Sequence, residues 1–238
     1  IRGDVGKGIQ HAIMRGNPEL EEVLNRKLEY RSQAETVREE FIRGRRSLVV
    51  AGTHGKTTTT SLAAWVCEVG GLDPTFLVGG VVQNFEQSFR VTDSDYFVIE
   101  GDEYDTAFFD KKPKFMSYLP EIAIVNNIKW QFSRLMNLVP GSGRLICGID
   151  SPVVGEVLAS MEGKLYTNIE TFGLSDTAKW QARNIEFSPA GTRFDVFCGG
   201  ERWAQFTTKM IGEFNVRNSL AVIIAADVWG ISQAKIQE

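Results

Sequence analysis

The sequence predicts an α/β fold in which short parallel strands alternate with helices. Short apolar runs rich in β-branched and aromatic residues recur between helix-like segments, as interior parallel strands do. One such run leads into a glycine-containing turn and then a helix-like segment, which is the strand–loop–helix unit of these sheets. Residues 141–210 read as further strands separated by turns, so we expect a β-rich addition to the parallel core.

Two helices are expected at the start of the chain. Asn17 is a suitable N-cap and Pro18 suits the first helical position, with the helix ending near Asn25. The second helix is expected from Ser32 to Ile42. The core strands are predicted at residues 48–51, 76–78, 96–100 and 122–125, with a helix over residues 56–69 that Gly70 and Gly71 end.

The β-rich addition is predicted to have strands at residues 144–149, 164–171, 182–187, 193–198 and 203–208. Its aromatic side chains are expected to form core rather than a stacking surface; they are Trp180, Phe187, Phe194, Trp203 and Phe206. A final helix is expected after Gly212.

Composition excludes several classes of protein. The 238 residues are 43% apolar, enough to bury a full core, and the net charge of −4 disfavours nucleic-acid or anionic-membrane surfaces. The sequence has no apolar run near the ~20 residues of a membrane span and no signal-peptide core, so we expect a cytoplasmic protein. Oligomeric state is not predicted.

Cysteine and histidine content argues against a metal site built on these residues. The three cysteines, Cys67, Cys147 and Cys198, are far apart and are expected to be buried free thiols. Only two histidines are present, His11 and His54, which excludes a histidine-rich site.

One segment has the composition of a phosphate-binding loop, and we call it the phosphate loop: Gly52, Thr53, His54, Gly55, Lys56, Thr57 and Thr58. Its glycines let the backbone approach phosphate oxygens, Lys56 adds positive charge, and Thr57 can hold Mg²⁺. The spacing Gly-x-x-Gly-Lys-Thr is shorter than the common form, whose first glycine would stand at Val50. A turn with a surface lysine is the alternative; the flanking strand-like and helix-like runs favour the phosphate loop.

Two further polar segments follow predicted elements. Glu100 ends one core strand and would reach a Mg²⁺ held near Thr57, because ligands gather beyond the carboxyl ends of parallel strands; the alternative is a solvated acidic turn. Asn215 and Asn218 lie on one face if a helix starts there, and their carboxamides can donate to and accept from an adenine edge. A capping asparagine beside a polar surface residue would explain that pair equally well.

These three segments, in this order, resemble the ATP-dependent Mur ligase family of peptidoglycan synthesis. The phosphate loop is similar to the family's nucleotide loop, Glu100 stands at its magnesium-binding acid, and the segment 212–218 is similar to its Gly-x-His-Asn-x-x-Asn motif. Within the family, residues 97–111 look most like the murein peptide ligases that recycle cell-wall tripeptide, and residues 15–19 and 79–85 point the same way. The related ligases that add L-alanine usually have Ser at the position that corresponds to Tyr104, and they lack the Phe-Phe-Asp-Lys run.

The resemblance implies a ligase that joins UDP-N-acetylmuramate to the tripeptide L-Ala-γ-D-Glu-meso-diaminopimelate with ATP and Mg²⁺. Lys56 and Glu100 would be catalytic, Thr57 and Glu100 would hold the metal, and Asn215 and Asn218 would hold adenine. An L-alanine ligase, a P-loop kinase or ATPase, and a non-catalytic nucleotide-binding module remain as alternatives.

The resemblance also implies a domain organisation, and two features depart from the family pattern. Residues 1–44 would be the tail of a UDP-sugar-binding domain, residues 45–238 the central ATP-binding domain, and the third, amine-substrate domain would be absent from this chain. Phe214 replaces the motif's histidine. The family's Asn-x-Glu-x-Asp-His segment, whose histidine helps to bind a second metal, is missing after Ile128, so we expect a stretch of chain to be absent there and, by an abrupt joint, near Arg46.

Overall fold

A computed structural model describes residues 15–107, 109–126 and 133–238. These residues form one ten-stranded sheet in the order β10-β9-β8-β7-β6-β5-β1-β4-β2-β3. The strands from β2 to β8 in this order pair in parallel, whereas β3, β9 and β10 pair antiparallel at the two edges. The predicted parallel core and β-rich addition are therefore confirmed, and the addition continues the same sheet.

The strands are β1 Arg46–Ala51, β2 Thr75–Val82, β3 Gln87–Arg90, β4 Tyr96–Gly101, β5 Ile122–Val125, β6 Arg144–Gly148, β7 Asn168–Gly173, β8 Trp180–Ser188, β9 Gly191–Cys198 and β10 Glu201–Thr208. The helices are α1 Pro18–Asn25, α2 Gln33–Val37, α3 Lys56–Val69, α4 Ser133–Met136, α5 Pro152–Ser160, α6 Glu213–Val228 and α7 Gln233–Gln237. The short elements β3, α4 and α7 were not predicted from the sequence, and neither was α5, which lies inside the stretch predicted to be all strand.

Strand β1 shows why the centre of the sheet is stable. Leu48 and Val50 point into one apolar core, which α3, α6 and α7 cover, while Val49 and Ala51 point into the other, which α2, α4 and α5 cover. All four side chains are buried. Because successive side chains of a strand face opposite sides, a strand covered on both sides must be apolar throughout, which is the pattern that predicted it.

The predicted helix from Ser32 to Ile42 is two structures. Ser32 and Glu35 form a capping box that starts α2, and a π-helical turn, Arg38–Ile42, follows it. The wider turn is marked by the hydrogen bond from the Arg43 amide to the Arg38 carbonyl, 2.8 Å long. Helical periodicity predicts the segment but does not predict where one extra residue enters a turn.

The predicted roles of the aromatic and cysteine side chains hold with two exceptions. Trp180, Phe194 and Phe206 are buried and Trp203 packs against them, but Phe187 is 51% exposed because it lies near the end of β8. Cys67 and Cys147 are buried free thiols, whereas Cys198, at the end of β9, is only partly buried. Burial raises the pKa of the Cys67 thiol to about 12 and also raises that of Cys147, so both stay protonated.

Asp195 connects the three strands of the β-rich addition. Its carboxylate accepts hydrogen bonds from Asn184 on β8 at 2.8 Å and from Arg202 and Gln205 on β10 at 2.6 and 3.0 Å. The hydrogen bonds from Asn184 and then Arg202 lower the pKa of the Asp195 carboxyl. A carboxyl whose pKa is lowered by folding stabilises the fold above its unfolded-state pKa, near 3.9, and loses that contribution as the pH falls through the folded-state pKa.

We therefore expect Asp195→Ala to lower the free energy of unfolding at pH 7 by about 2–3 kcal/mol, because it leaves three donors without their acceptor. Urea unfolding measures this change, and the difference from the parent protein should shrink below about pH 4. The matched control is Asp176→Ala, which removes a 95% exposed carboxylate and should cost less than about 0.5 kcal/mol. Equal losses in the two variants would contradict the role of Asp195.

In the part of the chain that the structure describes, no helix is both long enough and apolar enough to cross a membrane. The same residues contain no group of three or more His, Cys, Asp or Glu side chains arranged to hold a metal ion.

Candidate active site

The predicted site residues lie at the carboxyl end of the sheet, around β1. The chain leaves β1 through the phosphate loop into α3, and β1 lies between β4 on one side and β5 on the other. From β1 the chain goes on to β2, which lies beyond β4, and from β5 it goes on to β6, which lies in the opposite direction along the sheet. In open α/β sheets this switch point opens a crevice where ligands bind.

The phosphate loop is shaped by its two glycines. Gly52 and Gly55 have backbone φ angles of 148° and 79°, which residues other than glycine rarely adopt. A Cβ on Gly55 would also stand 3.0 Å from Oδ1 of Asn218, so a larger residue would crowd the start of α6. Gly55 is the N-cap of α3, and the first-turn N–H groups of a helix have no acceptor within the helix. This arrangement favours an anion at the loop.

Glu100 contacts Thr57 directly, while its predicted role as a Mg²⁺ ligand stays a prediction. The Thr57 hydroxyl donates to the Glu100 carboxylate, with both oxygens at 3.1 Å. The backbone amide of Gly79 donates to Glu100 Oε2 at 3.0 Å, and a Cβ on Gly79 would stand 3.0 Å from that oxygen. A side chain at this position would crowd the carboxylate that the amide of β2 holds. A hydroxyl and a carboxylate held together are the oxygen ligands that Mg²⁺ prefers.

Lys56 has a partner that the sequence analysis did not predict. Its ammonium group lies 3.0 Å from Glu103 Oε2 and donates to the Gly52 carbonyl at 2.8 Å. The two charged side chains are largely buried, with exposed fractions of 11% for Lys56 and 22% for Glu103. Glu103 follows Glu100 in the same acidic segment, so composition marked the segment as charged but did not assign this pair.

The remaining residues of the phosphate loop surround this centre. His54 is exposed and lies at the edge of an adjoining cleft, while Thr53 and Thr58 are partly buried on either side of the turn. These positions agree with a loop that wraps an anion, and the individual role of each side chain stays a prediction.

The adjoining cleft has a volume of about 420 Å³ and lies between the phosphate loop, the ends of β5 and β6, and the start of α6. Asn218 lines it, although the side chain is 95% buried by its neighbours (5% exposed). Asn215 is not among the lining residues; its side-chain amide donates to the Ile211 carbonyl at 3.0 Å, as a residue that secures the helix start does. The two asparagines are therefore both buried at the start of α6, but only Asn218 faces the cleft.

Two further residues at the cleft were not predicted to belong to it. Phe214, which stands where the family motif has histidine, is 63% exposed at its mouth. Asp150 accepts from the backbone amides of Leu174 and Ser175 and from Arg217 Nε at 2.6 Å. Asp150 thus ties the end of β6 to the β7–β8 connection and to α6, and keeps the cleft walls in place.

The family comparison agrees with this geometry. The Mur ligase middle domain family matches residues 50–226 of the chain, which contain the phosphate loop, Glu100 and Asn218. The chain belongs to the Mur ligase family. Members of this family are ATP-dependent ligases.

Curated relatives name two ligase activities. The chain is 36% identical over 240 residues to UDP-N-acetylmuramate–L-alanyl-γ-D-glutamyl-meso-2,6-diaminoheptandioate ligase of Escherichia coli, an alignment that covers 95% of this chain and 51% of that protein. It is 37% identical over 234 residues to UDP-N-acetylmuramate–L-alanine ligase of Anaeromyxobacter, covering 92% of this chain and 48% of that protein. The chain therefore spans about half the length of the Mur ligases it matches.

Solved Mur ligase structures share the fold. The murein peptide ligase from Neisseria meningitides superposes with a TM-score of 0.83 at 36% identity, covering 94% of this chain and 73% of that one. UDP-N-acetylmuramate–alanine ligase from Thermotoga maritima superposes with a TM-score of 0.76 at 21% identity, covering 95% of this chain and 52% of that one, which supports the shared fold.

The residues of this chain fit the cofactors of the family. Thr57 and Glu100 would supply oxygen ligands for Mg²⁺, and the phosphate loop would supply N–H groups and the Lys56 ammonium for phosphates. Asn218 Nδ2 and Asn126 Oδ1, both at the cleft, are buried and have no hydrogen-bond partner within the described ranges. Polar atoms left in this way fit a ligand that has its own donors and acceptors. The expected loss of chain after Ile128 falls in residues 127–132, outside the described residues, whereas at Arg46 the chain enters β1.

Proposed function

We propose that the complete protein joins the carboxylate of UDP-N-acetylmuramate to the amine of L-Ala-γ-D-Glu-meso-diaminopimelate, with cleavage of ATP to ADP and phosphate. One observation carries the proposal: Lys56, Thr57 and Glu100 converge at the switch point of a Mur ligase sheet. Residues 45–238 would be the central ATP-binding domain and residues 1–44 the tail of the UDP-sugar-binding domain. The cytoplasm, where ATP and nucleotide sugars are available, would be the site of action.

The chemistry needs an activated carboxylate, because a carboxylate and an amine do not condense in water at a useful rate. In the proposed reaction the carboxylate attacks the γ-phosphorus of ATP, ADP leaves, and the amine then displaces phosphate from the acyl phosphate. Lys56 would neutralise charge on the transferred phosphoryl group, and Mg²⁺ held by Thr57 and Glu100 would neutralise the rest. Asn218 would bind adenine, and Asn215 would support it from the same turn of α6.

The choice of tripeptide as the amine rests on two supports. Residues 97–111 resemble the murein peptide ligases, and two structures of such ligases superpose with TM-scores of 0.83 and 0.80. Sequence identity does not separate the candidates, since relatives of both activities are 36–37% identical. L-Alanine is accordingly the second candidate amine.

ADP release distinguishes the candidates. The complete polypeptide would be supplied with Mg-ATP and UDP-N-acetylmuramate, together with the tripeptide, with L-alanine, or with neither. We expect release with the tripeptide. Release with L-alanine alone would favour the second candidate, and equal release in all three would leave an ATPase or kinase in place of a ligase. A protein that binds ATP and releases no ADP would be a nucleotide-binding module.

The Lys56–Glu103 ion pair leads to a prediction about nucleotide affinity. Phosphates must compete with the Glu103 carboxylate for the Lys56 ammonium, and both side chains are largely buried. We expect Glu103→Gln to lower the Kd for Mg-ATP by about threefold to tenfold, because glutamine keeps the shape and removes the competing charge. Isothermal titration calorimetry measures the change.

Asp102→Asn is the matched control. It removes the same charge from the residue next to Glu103, and the Asp102 carboxylate lies 3.7 Å from the ammonium of Lys114. That variant should change the Kd less than twofold. A Kd that rises or stays constant in Glu103→Gln, or one that falls equally in both variants, would contradict direct competition for Lys56.

A further inference from the structure

Asn126, just beyond the end of β5, is hydrogen-bonded through its Nδ2 group, and its Oδ1 has no partner among the described residues. Its Nδ2 group has two protons, one directed to Thr59 Oγ1 at 3.0 Å and the other to Asn218 Oδ1 at 3.2 Å. Both protons are used by the protein itself. The orientation of the carboxamide is therefore set from α3 and α6, and its Oδ1 must point elsewhere.

The same contact leaves Asn218 with one unused group. Its Oδ1 accepts from Asn126, so its Nδ2 remains as a donor. Asn126 Oδ1 and Asn218 Nδ2 are both buried, both lack a partner in the described part of the chain, and both residues line the 420 Å³ cleft. Leaving such groups unpaired costs about 1–3 kcal/mol each, so a ligand that pairs with both would recover this energy.

The pair offers a fixed acceptor beside a fixed donor. An adenine base has the complementary arrangement, in which the 6-amino group donates and a neighbouring ring nitrogen accepts. In the same pose a 6-oxo purine would place an oxygen against Asn126 Oδ1, so that two acceptors would face each other. Asn126 therefore suits a 6-amino purine.

We propose that Asn126 binds the base of the nucleotide directly, with its Oδ1 accepting from the 6-amino group of adenine while Asn218 Nδ2 donates to the adjacent ring nitrogen. This inference rests on the proposed ATP-binding function and adds a specificity-determining residue that none of the three sequence segments contains. Thr59 is the positioning residue, because its hydroxyl accepts from the Asn126 amide at 3.0 Å and so helps to fix the orientation of the carboxamide beside the cleft.

Removing the 6-amino group from the ligand and the carboxamide from the protein tests the contact from both sides. Equilibrium Kd values for Mg-ATP and for Mg-purine riboside triphosphate, which has hydrogen in place of the amino group, would be measured on the complete polypeptide. The parent protein should bind ATP about tenfold more tightly, which is the effect of one hydrogen bond of ~1.4 kcal/mol. In Asn126→Ala that ratio should fall to less than about twofold.

Asn168→Ala is the matched control, because it truncates an asparagine at the start of β7, at the opposite end of the sheet from the cleft; it should keep the tenfold ratio. Thermal unfolding checks that the variants fold. If Asn126→Ala does not fold, Asn126→Ser replaces it, because the serine hydroxyl is too short to take the place of Oδ1 and the same fall in the Kd ratio is expected.

The outcomes separate the two proposals. A parent protein that binds neither nucleotide would overturn ATP binding itself. A parent protein that binds both equally, or an Asn126 variant that keeps the tenfold ratio, would overturn the role of Asn126 and leave the ATP site standing.

Discussion

Replacing Lys56 with alanine is expected to reduce the rate of ADP release by at least about a thousandfold. Lys56 lies at the centre of the phosphate loop with its ammonium held between the Gly52 carbonyl and Glu103. Phosphoryl transfer depends on neutralising charge that is spread over the phosphate oxygens, and the protein has little other means of catalysing it. The measurement is ADP release with Mg-ATP, UDP-N-acetylmuramate and tripeptide, on the complete polypeptide.

Lys56→Ala also leaves the Glu103 carboxylate buried without its cation, which destabilises the fold. Lys56→Ala combined with Glu103→Gln removes both charges and should recover the stability of the parent protein while remaining inactive. Lys235→Ala, which truncates a surface lysine paired with Glu238, should leave the rate unchanged. Normal turnover in either Lys56 variant would refute the catalytic role of the lysine.

Glu100→Gln is expected to have an effect of similar size through the metal. Glutamine keeps the length of the side chain and an oxygen for the Gly79 amide, but it loses the charge that attracts a divalent cation. We expect turnover to fall by about a thousandfold at low millimolar Mg²⁺, and the Mg²⁺ concentration for half-maximal activity to rise more than tenfold. A Mg²⁺ titration of the rate measures both changes.

Glu201→Gln is the control for this variant, since it removes a carboxylate from an exposed position on the edge strand β10. Its Mg²⁺ dependence should match that of the parent protein. If Glu100→Gln lowers turnover with an unchanged Mg²⁺ dependence, then Glu100 acts through Thr57 and Gly79 and not as a metal ligand.

Most of the fold near the site could be predicted because the signals are local. The glycines of the phosphate loop, the cap of α1 and the continuous apolar run of β1 all depend on residues within a few positions of each other. The same holds for the end of α3. The helix ends at Val69, where it was predicted to end, and Gly71, two residues later, has a φ of 81°. These features would arise in any tertiary context that tolerated them.

The missed elements had weaker local signals. Strand β3 has only four residues, and its sequence lacks an apolar pattern because none of its side chains is fully buried in the fold. Helix α5 begins with Pro152 and lies in a stretch whose flanking segments are strands, and its five apolar residues fit either structure. Packing on the second face of the sheet, where Val154 and Val157 are buried, decides in favour of the helix.

The sequence by itself determined that this protein has a phosphate loop on a parallel sheet, with a carboxylate at Glu100 placed to reach Thr57. Only the tertiary structure decided the pairs that complete the site, Lys56 with Glu103 and Asn126 with Asn218, whose members are 47 and 92 residues apart in the chain. The reason is physical: a loop or cap depends on the backbone angles of consecutive residues, whereas these pairs depend on how the strands order themselves around β1. That order follows from burying two apolar faces at once, and no single segment of the sequence contains it.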